Sequence, residues 1–392
     1  MSEERKLGVD SRAVHSGKRP DPSGALVEPI FQTAPFSFSG TDALAKAGDG
    51  VPPDAFYTRE GNPNWTVAEK KLAALEGADE AALFGSGMGA ISTAFLAHLK
   101  SGDHVVATED LYGGATRLFR DVLEPMGVAV TVVKTEPRPR IEEALRKETR
   151  WIYVESPTNP LVKIVDLEFV AGIARRHGLA AVIDGTFASP VLQQPIALGF
   201  DLVLHSATKY LNGHADVTAG FAAGTRTMVG PIRERRTRLG AILDPHAAFL
   251  LTRGMKTVGL RVRAQSENAL RLARVLSKSA AVERVHYPGL PTHAGHEAAA
   301  RQMSAFGAML AFDVRGGLPA AQSFLSRLEM VTLATSLGSV ETTADFPWLT
   351  SHRAVAPEKK RELGIQEGTI RLSVGIEDGG DLEREIEAAL GG

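Results

Sequence analysis

The chain has 392 residues, 44% of them hydrophobic, enough to bury a large core and to form more than one domain. Its 44 Lys and Arg nearly balance 46 Asp and Glu, a formal charge of -2, so no global field draws it to nucleic acid or an anionic membrane, and a small-molecule substrate is expected. It has no cysteine, which excludes disulfides, thiolate metal ligands and a cysteine nucleophile, and no metal site is expected.

Met1 to Gly8 is charged and lacks an apolar signal core, and no apolar run approaches a membrane span; a cytoplasmic location is the expectation. Residues 1–55 are rich in Gly, Pro and Ser without a sustained helical period. Ile30, Phe31, Phe36 and Phe38 are too apolar for a solvated tail, so this stretch reads as an arm packed on the body or on a neighbour. A large α/β domain is expected over 56–249. It begins with Phe-Tyr-Thr-Arg-Glu-Gly-Asn-Pro, where Tyr57 and Arg59 offer a hydroxyl and a planar fork of donors to a phosphate, although Tyr-Thr-Arg in an exposed loop is more often structural than functional. Asn62 then caps a helix with Pro63 at its first position, Trp65, Ala68, Leu72 and Leu75 on one face, and Gly77 at its end.

Ala81 to Phe84 reads as a buried strand leading into Gly85-Ser86-Gly87-Met88-Gly89-Ala90 and an apolar helix through Leu99. Exposed amides at such a helix start hold an anion without any basic side chain. The same residues match Gly-x-Gly-x-x-Ala, a dinucleotide pattern with Asp103, Glu109 and Asp110 as ribose partners, and also a plain tight turn. Strands at His104 to Ala107, Val128 to Val133 and Trp151 to Glu155 alternate with helices at Thr116 to Leu123 and Ile141 to Lys147, a βα series that implies a mainly parallel sheet. The loops at the strand ends carry Tyr112, able to stack on a flat ring, and Asn159, able to donate to a carboxylate; both are also common turn residues.

After a helix Leu167 to His177, the strand Ala180 to Ile183 ends in Asp184. A buried carboxylate needs a cation or donors, and a pyridinium nitrogen or a turn would each serve. Asp201 to Leu204 then delivers His205-Ser206-Ala207-Thr208-Lys209-Tyr210, a lysine between hydroxyls at a strand end, suited to a Schiff base or simply exposed. A C-terminal α+β domain is expected over 250–392, with a long helix from Arg253 to Ser277 and strands near Val282 to Tyr287, Ala308 to Val314 and Thr369 to Ile376. Within it, Leu333 to Gly338 is a polar-tipped strand end. Arg371 sits inside an apolar strand and needs an anion, either an internal partner or a substrate carboxylate.

Tyr-Thr-Arg-x-Gly-Asn-Pro, Ser-Gly-Met, Asp-Leu-Tyr-Gly-Gly, Ser-Pro-Thr-Asn-Pro, Asp-Gly-Thr-Phe-Ala-Ser-Pro, His-Ser-Ala-Thr-Lys-Tyr and Arg-Leu-Ser-Val-Gly-Ile-Glu-Asp occur in this order. Together they resemble, over nearly the whole chain, the Cys/Met metabolism family of pyridoxal-phosphate (PLP) enzymes, which includes cystathionine γ-synthases, cystathionine γ-lyases and methionine γ-lyases. The resemblance implies the fold type I, aminotransferase-like α/β architecture. It implies that Lys209 carries the cofactor and moves protons, that Asp184 keeps the pyridine nitrogen protonated, and that Tyr112 stacks over the ring and assists proton transfer. The phosphate would meet Gly87, Met88, Ser206 and Thr208, with Tyr57 and Arg59 reaching in from a neighbouring subunit; a homodimer, commonly paired into a homotetramer, follows. Arg371 would hold the α-carboxylate of an amino-acid substrate, with Asn159 and Ser336 beside it.

This chain departs from the family pattern at Gly185, where Asn is commoner, at Asn64-Trp65, where Thr-Arg is commoner, and at Thr335, where cystathionine enzymes usually carry Glu. Thr335 argues against cystathionine, whereas Gly114, where many methionine γ-lyases carry a cysteine, argues the other way. The expected activity is an α,γ-eliminating carbon-sulfur lyase acting on methionine or a homocysteine-like thioether, possible rivals being γ-replacement on an activated homoserine ester, a dinucleotide-dependent dehydrogenase built on Gly85 to Ala90, or a non-catalytic protein on the same fold.

Overall fold

The computed structural model describes residues 7–48, 55–353 and 355–391. The strands follow in chain order as β1 (Glu80–Phe84), β2 (His104–Thr108), β3 (Ala129–Val133), β4 (Thr149–Glu155), β5 (Ala180–Asp184), β6 (Leu202–Ser206) and β7 (Gly220–Gly224). After them come β8 (Val282–His286), β9 (Met309–Val314), β10 (Thr332–Leu333), β11 (Thr343–Asp345) and β12 (Thr369–Ser373). The chain folds as two compact units, Met1–Leu99 with Asp201–Val258, and Lys100–Phe200 with Gly259–Gly392. No helix among the described residues is long and apolar enough to cross a membrane.

In the first unit β7 lies between β1 and β6 and runs antiparallel to both. All three are apolar on both faces and almost wholly buried, as expected of strands covered on each side. Asn62 caps the helix Pro63–Glu76 through the amide of Asn64, and Gly77 ends it at φ 69, as its sequence predicts. The unusual Asn64-Trp65 pair has a local structural account. Asn64 Oδ1 accepts the Phe31 amide and its Nδ2 donates to the Pro29 carbonyl, each at 2.8 Å, while Trp65 Nε1 donates to the Leu243 carbonyl at 2.9 Å. The two Asn64 bonds clip the arm to the helix start, and the Trp65 bond ties that helix to the Leu243 carbonyl. The arm holds two short helices, Val9–His15 and Thr41–Gly48, which its broken periodicity does not predict. Its Phe31, Phe36 and Phe38 are half-buried and Ile30 is exposed.

In the second unit β5, β4, β2 and β3 lie side by side and parallel. A second sheet has the order β10, β11, β12, β9, β8 and is antiparallel apart from the β10–β11 pair. Its core packs Leu310, Phe312 and Leu372 with Leu382 and Ile386 of the helix Gly379–Leu390.

Three expected helices differ from prediction. Ile141 to Lys147 forms only a 3-10 turn, Glu142–Ala144, because β4 starts early: Thr149 Oγ1 accepts the Arg146 amide at 2.8 Å and bends the chain into the strand. The stretch Arg253 to Ser277 is two helices, Pro245–Met255 and Val258–Leu276. Asp244 and Pro245 start the first, and Gly254 lies so close to the Asn212 carbonyl that a Cβ there would stand 2.3 Å from it. The helix expected from Thr116 begins at Gly113 and widens into π turns over Phe119–Leu123.

Candidate active site

The groups singled out by sequence fall into two sets, one in each unit. In the first unit β6 ends at Ser206 and the chain turns at once through Lys209. Ala207 and Tyr210 are fully buried, whereas Lys209 is half-buried. The lysine's amide donates to the Ser206 carbonyl at 3.2 Å and its carbonyl accepts from Gly213 at 2.8 Å, so the backbone beneath the amine is held on both sides.

Beside it, the helix Gly87–His98 begins with Ser86 as its cap, Ser86 Oγ accepting the Gly89 amide at 2.9 Å. A Cβ on Gly87 would lie 2.8 Å from Ser206 Cβ and 3.1 Å from Ser206 Oγ. Only glycine lets the helix start and the Ser206 hydroxyl converge on one small space, which suits an anion by amides, dipole and hydroxyl together. Gly220 serves the same approach, since a Cβ there would stand 2.1 Å from the Ser86 carbonyl oxygen. Gly87→Ala is therefore expected to overpack this space at a cost of roughly 1–3 kcal/mol, read as a lower urea midpoint.

Thr208 is placed differently from Ser206. Its Oγ1 accepts the Ala219 amide at 3.0 Å and donates to the Ala219 carbonyl at 3.2 Å, so its hydroxyl is committed to the main chain of the turn. Tyr57 is 40% exposed, with the Arg59 guanidinium 5.3 Å from its ring centre, and both line a surface recess with Gln32, Thr33 and Asp244. Among the described residues neither side chain hydrogen-bonds to Gly87, Met88, Ser206 or Thr208 of the same chain.

In the second unit β4 and β5 end level with each other, Glu155 in register with Asp184. Asp184 is 5% exposed and Oδ1 accepts the Thr186 amide at 3.0 Å. Tyr112 presents an exposed ring from the loop after β2, and its amide donates to Glu155 Oε2 at 2.7 Å. Burial, then the charge of Asp184, pushes the Glu155 carboxyl well above the usual carboxylate range; burial and Asp184 likewise raise the Tyr153 phenol. Behind the tyrosine, Lys163 Nζ meets both oxygens of Asp110 at 2.9 Å.

Arg371 is 4% exposed in the middle of β12. Nη1 donates to Asn159 Oδ1 at 2.8 Å, Nη2 donates to the Ser336 carbonyl at 2.8 Å, and Nη2 pairs with Asp345 Oδ2 at 2.9 Å. Ser336 holds φ 77, a left-handed conformation unusual for serine, and thereby aims its carbonyl at the guanidinium. Thr335 just before it is exposed.

Arg371 thus has the internal anion that its burial demands, and Asn159 and Ser336 are its neighbours. Two residues that sequence reasoning did not assign emerge here. Glu155 ends a buried strand just as Asp184 does, a signal visible in the sequence. Asp345 lies on a three-residue strand whose pairing opposite Arg371 is set by register alone.

A lysine amine with phosphate donors in one set, and a buried carboxylate with an exposed aromatic ring and a fixed guanidinium in the other, match the functional groups of PLP and an amino acid. The comparisons agree. Residues 10–391 match the family model described as Cys/Met metabolism PLP-dependent enzyme. An L-methionine gamma-lyase of Fusobacterium nucleatum subsp. polymorphum is 40% identical over 397 residues, covering 99% of each chain. A cystathionine beta-lyase of Coxiella burnetii is 40% identical over 390 residues, covering 98% of each. The solved structure of metB from Corynebacterium glutamicum superposes with a TM-score of 0.92 at 38% identity, covering 99% of each chain, which establishes the α/β fold expected from the resemblance. With both sets of groups, the fold and nearly the full length in agreement, this chain belongs to the Cys/Met metabolism family of PLP-dependent enzymes, and pyridoxal phosphate is its cofactor.

Proposed function

We propose that this enzyme is a carbon-sulfur lyase that performs α,γ-elimination on methionine or a homocysteine-like thioether, taking up one water and releasing a 2-oxo acid, ammonia and a thiol. Bound PLP supplies an electron sink for the carbanion at the substrate Cα. Lys209 is the residue that carries the cofactor, and its amine, freed by the incoming substrate, takes the Cα proton and passes protons to neighbouring carbons. Asp184 holds the proton on the pyridine nitrogen. Tyr112 covers the ring and assists proton transfer. Gly87 and Met88 bind the phosphate through their amides and Ser206 through its hydroxyl, Thr208 contributing once its hydroxyl turns from Ala219. Tyr57 and Arg59 serve the site of a second copy, which makes the homodimer the working unit and a homotetramer its expected assembly; their exposure supports this. Arg371 holds the substrate carboxylate, braced by Asn159 and Ser336.

The choice of substrate rests on Thr335. An uncharged, exposed side chain next to Ser336 in the chain offers no charge to the distal ammonium of cystathionine. Purified holoenzyme assayed with methionine, homocysteine and cystathionine should release 2-oxobutanoate, fastest from one of the first two. Cystathionine formed instead from O-succinyl- or O-acetylhomoserine and cysteine would move the assignment to γ-replacement. Thr335→Glu should shift the ratio of kcat/KM for cystathionine over methionine upward by about tenfold, the worth of one well-placed charge pair.

A further inference from the structure

One buried acid has no part in the reaction proposed above. Glu155 is 4% exposed, closes β4 in register with Asp184, and receives the Tyr112 amide on Oε2 at 2.7 Å. Tyr112 leads into the helix Gly113–Leu118. The loop that follows Glu155 carries Asn159, whose side chain accepts from Arg371. The carboxyl therefore anchors the loop that bears the exposed ring to the end of β4.

We propose that Glu155 is the positioning residue of this site, fixing Tyr112 through its amide from a single buried point. The inference rests on the role assigned above to Tyr112. The carboxyl acts as a neutral acceptor. The groups facing it are Asp184 on β5, Asp110 in the loop after β2, whose charge Lys163 balances, and the Tyr153 phenol on its own strand. Burial and the two aspartates favour its protonated form, while the Tyr112 amide opposes them.

A group whose folded-state pKa is raised lends stability that is complete below its unfolded pKa and is lost as pH rises through the folded value. The wild-type protein should therefore lose stability with rising pH relative to Glu155→Gln, which cannot ionise. The test compares wild type, Glu155→Gln and Glu155→Ala. Melting of the cofactor-free proteins is followed from pH 5 to pH 9, and the holoenzymes are measured for kcat, KM and the visible circular dichroism of the bound cofactor.

Glu155→Ala is expected to raise KM about tenfold and to weaken the dichroism, because the Tyr112 amide loses its acceptor. Glu155→Gln should recover most of both, and its melting temperature should climb relative to wild type as pH rises. Glu155→Ala with KM and dichroism at wild-type values would reduce Glu155 to a structural role, and Glu155→Gln as impaired as Glu155→Ala would remove the neutral acceptor. Should Glu155→Ala fail to fold, the Glu155→Gln melting series decides, since parallel pH profiles overturn the proposal. Lys209→Ala separates the two readings: if it retains activity, the site assignment itself fails, whereas loss at Lys209 with wild-type behaviour at Glu155 removes only this inference.

Discussion

Lys209→Ala is expected to lower kcat/KM by about 10⁴-fold and to abolish the visible absorption band of covalently held cofactor, with the fold retained. The magnitude reflects the loss of both the proposed covalent anchor and the proposed general base from one amine. Fold retention follows from the local geometry. The turn is held by the Lys209 amide on Ser206 and by the Gly213 amide on the Lys209 carbonyl, with Ala207 and Tyr210 buried on either side, and none of these contacts uses the amine. The checks are steady-state kinetics, an absorption spectrum and far-ultraviolet circular dichroism. Partial recovery of activity by added methylamine would identify the amine as the missing group. Full activity in this variant would refute the assignment of Lys209, and bound nicotinamide in the purified protein would revive the dinucleotide reading of Gly85 to Ala90.

Arg371→Leu should combine a binding defect with a fold defect. Removing the guanidinium takes away the proposed partner of the substrate carboxylate, so KM should rise about 100-fold, typical of a lost bidentate, charge-assisted pair. It also leaves Asp345, only 3% exposed, facing β12 without its cation, although Thr350 Oγ1 still donates to Asp345 Oδ1 at 2.7 Å. An orphaned buried charge costs about 3–5 kcal/mol, so the urea midpoint should fall sharply. Adding Asp345→Leu should restore most of that stability without restoring KM, because a buried ion pair replaced on both sides by apolar groups is nearly neutral. If the double variant is as unstable as the single one, Asp345 is not the residue that Arg371 neutralises.

These two predictions draw on different kinds of information. The lysine was visible in the chain itself, since an apolar run ending in a lysine between hydroxyls is a local pattern. The helix caps at Asn62 and Gly77 and the convergence of Gly87 on Ser206 belong to the same class: capping and steric exclusion depend on near neighbours and a few backbone angles. The Arg371–Asp345 pair could not be read this way. Its two members lie on separate strands, and a shift of one residue in pairing would turn Asp345 to the opposite face.

Helix limits failed for a related reason. Periodicity at Ile141 to Lys147 is genuine, but the Thr149 side chain captures the Arg146 amide and the strand wins the segment. A continuous helical pattern over Arg253 to Ser277 conceals the break at Lys256 and Thr257.

By itself the sequence determined the βα alternation, the glycine-lined turn at Gly87, the lysine at the end of an apolar strand and the buried strand-end acid, because each is written in residues adjacent along the chain. Only the tertiary structure decided that Thr208 spends its hydroxyl on Ala219 while Ser206 faces Gly87, that Asp345 neutralises Arg371, that Ser336 bends to φ 77 to reach the guanidinium, and that Glu155 holds the Tyr112 amide. Those outcomes turn on strand register and on which polar groups lose water together, and neither is encoded within the reach of a local pattern.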